Sequence, residues 1–124
     1  MNWKEVFFYI KSTIINDFGI EVNLFDEIPK HLYANPDIDI PYNGTVFLDQ
    51  EYPSIIDIYG DVDKYPMEMT CVLIHEFGHV LADNNIGPTH TELDAWLFGK
   101  NYFKEQYIPP IFDKIMYECL ETYK

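Results

Sequence analysis

The chain has 124 residues and a mass of 14.7 kDa, and its 48% hydrophobic content, 17% of the chain aromatic, suits one compact domain and excludes a disordered chain. Twenty-one acidic residues against eight basic ones leave a formal charge of −13, and all eight basic residues are lysine. With no arginine to fork onto guanine or phosphate, and a body repelled by phosphate backbones and anionic lipid, direct nucleic-acid and membrane-surface binding are excluded.

In chain order, Trp3, Val6, Phe7, Ile10, Ile14 and Ile15 fall at helical spacing, which predicts an amphipathic helix over Trp3 to Phe18 stopped by Gly19. Ile20 to Leu24 alternates as a strand does and ends in the region Asp26 to Pro29. The stretch His31 to Asn43, with Pro36, Pro41 and several Asn and Asp residues, is expected to be mostly loop. Gly44 to Leu48 and Ser54 to Tyr59 are two further strands, the last closed by Gly60-Asp61. Their short connections predict a small antiparallel or mixed sheet. After Pro66, a residue suited to a helix start, the pattern is helical over Met67 to Asn84, Thr91 to Gln106 and Pro110 to Tyr123. Asn84-Asn85-Ile86-Gly87-Pro88 stops the first of these helices, and Pro109-Pro110 separates the other two. The prediction is α+β: helix, three-stranded sheet, three helices, in a single domain over 1–124.

Two cysteines, Cys71 and Cys119, lie far apart in apolar stretches and are expected to be buried thiols in a reducing compartment. The early apolar run Val6 to Ile10 is too short for a signal-peptide core, and no stretch reaches membrane-spanning length. The expectation is a soluble cytoplasmic protein.

The chemistry is carried by Leu73-Ile74-His75-Glu76-Phe77-Gly78-His79-Val80-Leu81, an H-E-x-x-H motif on the first of the three late helices. Four residues separate the histidines, so their imidazoles project from one face a turn apart and can share a metal ion. Glu76 is rotated by about 100° from His75, beside the metal but over a coordinated water. Two imidazoles leave zinc needing one more protein ligand and an open position, the mark of a catalytic site. With four histidines in the chain, chance supplies such a motif about 0.01 times.

Glu92, Asp94, His90 and Asp83 are candidates for the third ligand. Glu92 shares its helical stripe with Ala95 and Gly99, small residues that let the two helices approach closely, whereas Asp94 shares a face with Leu97, Phe98 and Asn101. Helical geometry therefore favours Glu92.

An H-E-F-G-H helix followed by E-x-x-A-x-x-F-G resembles the gluzincin branch of zinc metallopeptidases, and within it the small ImmA/IrrE-type proteins of bacterial phages and mobile elements. The resemblance spans Cys71 to about Phe103. It implies a minimal zincin-like fold in which His75, His79 and Glu92 bind Zn2+ and Glu76 is the general base. The family often places Asn or Asp directly after the alanine to orient a ligand histidine. Trp96 stands there instead, so the histidine's partner must come from elsewhere, with Asp94, Asp83 and a backbone carbonyl as candidates.

The expected reaction is hydrolysis of a peptide or protein substrate, with His90 or a tyrosine as oxyanion donor. Ser54 to Tyr59 is the candidate edge strand for pairing with substrate, and Asp57, Asp61 and Asp63 give it an acidic rim. Two other readings have different chemistry: a zinc-containing binding module without turnover, and an acidic inhibitor that imitates nucleic acid.

Overall fold

A computed structural model describes residues 1–29, 41–49 and 51–121. Helix α1 (Trp3–Phe18) opens on a capping box: the Glu5 backbone N–H donates to Asn2 Oδ1 at 2.9 Å, and the Asn2 N–H reaches Glu5 Oε1 at 3.4 Å. Gly19 ends it in the left-handed conformation at φ 65°, its N–H donating to the Ile15 carbonyl. Val6, Phe7, Ile10 and Ile14 are buried, each contributing about 1.5–3 kcal/mol through removal from water. Ile15, expected on the same face, is exposed.

Strands β1 (Glu21–Phe25), β2 (Tyr42–Phe47) and β3 (Ile55–Gly60) form one mixed sheet in the order β1-β3-β2. β1 runs parallel to β3, with Val22 opposite Ile56; β2 runs antiparallel to it, with Gly44 opposite Ile58. The third strand is thus central, which corrects its expected place at an edge. β3 supplies buried Ile56, Ile58 and Tyr59, and a strand so apolar is stabilised by a neighbour on each side. Tyr42 and Asn43, expected in the loop, open β2; residues 31–40 of that expected loop lie outside the described residues.

Helix α2 (Pro66–Asn85) starts with its proline in the first turn and packs against α1, β2, β3 and the later helices. Its Met69, Thr70, Cys71, Leu73, Ile74, His75, Glu76, Phe77 and Gly78 are all buried, as a central helix requires. Helix α3 (Glu92–Tyr102) has Thr91 as its cap, with Thr91 Oγ1 accepting from the Asp94 N–H and Asp94 Oδ2 accepting from the Thr91 N–H. α3 is shorter than the predicted Thr91 to Gln106. Phe103 turns extended and buries its ring against Phe77, and a 3₁₀ turn follows at Glu105–Tyr107. Helix α4 (Phe112–Glu121) begins two residues after the expected Pro110, behind a turn closed from the Phe112 N–H to the Pro109 carbonyl. Residues 122–124, the end of the predicted last helix, lie outside the described residues. The architecture is α+β: an N-terminal helix, a three-stranded mixed sheet, then three helices. Among the described residues no helix is long and apolar enough to cross a membrane.

Candidate metal centre

α2 presents His75 and His79 one turn apart, their ring centroids separated by 4.7 Å at an interplanar angle of 67°. α3 brings Glu92 to them from its first position. The approach depends on missing side chains: a Cβ on Gly78 would run into the Ala95 carbonyl, and one on Gly99 into the Ile74 carbonyl. Ala95 and Gly99 were legible as a small-residue stripe. Gly78, the matching gap on α2 inside the motif itself, was missed. The signal was there in a glycine four residues from Ile74, on the same face of the helix.

Glu92 Oε2 lies 3.1 Å from His75 Nε2 and 3.3 Å from His79 Nε2. That oxygen is buried against the two rings. Three electron-pair donors therefore face a common point, all within 4.8 Å of one another. Ligands about 2.0–2.1 Å from a tetrahedral ion are about 3.3 Å apart, so the two Glu92–histidine spacings suit ligands of one shared metal ion. Among the described residues this is the group that can hold a metal ion. Asp94 is outside it, committed to the α3 cap, and Asp83 and His90 are outside it as well.

No protein-family model, curated protein or solved structure matches this chain.

The electrostatics follow from burial and neighbours. Burial lowers the His75 pKa, and His79 adds to that lowering while Glu92 opposes it, favouring the neutral imidazole that metals bind. Burial also acts to lower His79, but Glu92 and Glu76 beside it outweigh that and raise it. The approach of His75, then of His79, holds the Glu92 carboxyl far below the usual range. Glu76 is pushed the other way, to about 7, by burial with a smaller push from Glu92 and opposition from His79. Its Oε1 is 3.9 Å from His75 Nε2. Two carboxylates beside the same imidazole are thus driven in opposite directions, one toward permanent charge and one toward proton exchange near neutrality.

Strand β2 lies over this group. A Cβ on Gly44 would come within 2.9 Å of Glu76 Cγ and 2.6 Å of Val72 Cγ1, so the strand's backbone rests on α2 beside the carboxylate. The sequence reading missed this contact. An isolated glycine in a strand marks close backbone approach, and that signal was available.

Trp96 stacks on the His75 ring, centroids 4.0 Å apart and planes 20° from parallel. Neither Asp94, Asp83 nor a backbone carbonyl, the expected partners, is hydrogen-bonded to a ligand histidine among the described residues. His75 Nδ1 and Trp96 Nε1 are both buried and have no hydrogen-bond partner among the described residues. On the other histidine, His79 Nδ1 lies 2.9 Å from His90 Nε2, and His90 Nδ1 lies 2.9 Å from the Gly87 carbonyl. The acidic residues expected as a substrate rim have local partners: Asp57 accepts from Asn23 Nδ2, Asp61 from the backbone N–H of Asp63 and Lys64, and Asp63 pairs with Lys4.

Proposed function

We propose that the chain is a zinc-dependent peptidase with a minimal zincin-like fold over residues 1–124. The convergence of His75 Nε2, His79 Nε2 and Glu92 Oε2 around one point, with buried Glu76 beside it, is the observation that carries this reading. Bound zinc would supply a Lewis acid that acidifies water and polarises the scissile carbonyl. Glu76 takes the proton of the attacking water and returns it to the leaving amine, a role served by a carboxyl that titrates near neutrality. Its burial excludes bulk water from competing for that proton.

Substrate is a peptide in extended form, paired along the outer edge of β2. Among the described residues that strand is paired on one side, to β3, and it passes directly over Glu76. A zinc-bound module without turnover is the second reading, supported by the unpartnered His75 Nδ1, since ligand histidines in active sites ordinarily donate that proton. Glu76→Gln separates the two. Wild type and variant, both zinc-loaded, are incubated with cell extract and new protein termini are mapped by mass spectrometry. Termini produced by wild type and absent with Glu76→Gln support the peptidase. Equal termini from both, or none from either beside full zinc content, contradict it.

A further inference from the structure

The His79–His90 contact has a direction, and chemistry fixes it. The Gly87 carbonyl can only accept, so His90 Nδ1, 2.9 Å away, carries the proton between them. With its ring proton on Nδ1, His90 offers the lone pair of Nε2, and His79 Nδ1, 2.9 Å from that atom, is placed to donate to it. With its proton on Nδ1, His79 is left with a lone pair on Nε2, the atom 3.3 Å from Glu92 Oε2 in the metal group. Every donor in the series then has one acceptor.

The loop is built to hold this order. Gly87 has φ 108°, a conformation that glycine adopts without strain, and its carbonyl also accepts the His90 backbone N–H at 3.1 Å. One carbonyl thus grips His90 by main chain and ring together. Both His90 nitrogens are engaged, and the N–H expected to serve an oxyanion points instead to Gly87.

We infer that His90 is a positioning residue, which fixes His79 in the Nδ1-protonated form with Nε2 turned to the metal. The two ligand histidines are then held differently, His75 by stacking on Trp96 and His79 by hydrogen bonding to a third histidine. This inference rests on the metal-site reading, and its test tells the failure of one from the failure of the other. Zinc affinity of the whole chain is measured by competition with a chromogenic chelator for wild type, His90→Ala and His90→Gln. The zinc-loaded wild type is also examined by long-range 1H–15N NMR.

His90→Ala is expected to bind zinc about 10- to 100-fold more weakly. His90→Gln, whose amide oxygen reaches the place of Nε2, is expected to recover most of that loss. The NMR is expected to show His79 protonated on Nδ1 and His90 protonated on Nδ1. Unchanged affinity in His90→Ala, a Gln variant no better than Ala, or a His90 proton on Nε2 overturns the inference while the metal site stands. A wild-type chain that takes up no zinc overturns both.

Discussion

Replacing Glu76 by Gln should stabilise the metal-free protein, and the size of the gain should depend on pH. Burial moves the Glu76 carboxyl from 4.5 to about 7. At about 1.4 kcal/mol per pKa unit, ionising it in the folded chain costs roughly 3 kcal/mol more than in the unfolded chain. The folded state keeps the proton to higher pH, so between these two values it binds more protons than the unfolded state, and stability falls as pH rises. Below the unfolded value both states are protonated and the penalty vanishes. It amounts to roughly 1 kcal/mol at pH 5 and roughly 3 kcal/mol at pH 8. Glutamine keeps the shape of the protonated acid and never ionises. Urea denaturation of chelator-treated wild type and Glu76→Gln should therefore show the variant more stable by those amounts, with the slope against urea unchanged. An equal gain at both pH values, or no gain at pH 8, would refute the placement of a buried, ionisable Glu76.

Glu92→Ala should remove the metal while leaving α3 intact, whereas Asp94→Ala should retain the metal and lose about 1 kcal/mol of stability with the bond from the Thr91 N–H, one half of the α3 capping box; metal content and thermal melting of the two variants check this. Gly99→Ala should destabilise the fold by about 1–3 kcal/mol or more, since its methyl group meets the Ile74 carbonyl, and should weaken zinc binding as α3 and Glu92 are pushed away. Denaturation and chelator competition on one preparation test both effects, and a stable variant of normal affinity would contradict the close packing. In the metal-free protein Glu92 holds its charge to unusually low pH, so its stabilising contribution is present above the ordinary carboxylate pKa and is lost as pH falls through the lowered one. Compared with Glu92→Gln in acid titrations, wild type should lose its advantage under strongly acidic conditions.

The helices were the most legible part of the fold, because their signals are local. The spacing of Val6, Phe7, Ile10 and Ile14 with Gly19 behind them gives α1 its observed limits, and Pro66 marks the start of α2. The pairing order of the strands was not legible. Val22, Val46 and Ile56 read alike along the chain, and the central place of β3 is decided by pairing across the sheet rather than within any one strand. α3 ended early because burying Phe103 requires an extended backbone, a tertiary demand that helical periodicity does not reveal.

The candidate site divides in the same way. His75 and His79 are adjacent because a helix makes residues four apart adjacent, and the Ala95–Gly99 stripe selected Glu92 over Asp94 through a packing argument that the Gly99–Ile74 contact bears out. What surrounds the histidines could not be read off. His90 comes from a loop whose path depends on the φ of Gly87, and Trp96 reaches His75 through the mutual placement of two helices. Gly44 is more than thirty positions from Glu76 yet lies against it.

The central claim is that His75, His79 and Glu92 bind one metal ion. Equilibrium dialysis of the chelator-treated chain against zinc, with metal counted by mass spectrometry, tests it most directly. One zinc per wild-type chain is expected, with none in His75→Ala or Glu92→Ala. A wild type that binds no zinc, or a Glu92→Ala variant that still holds a full equivalent at wild-type affinity, would contradict it.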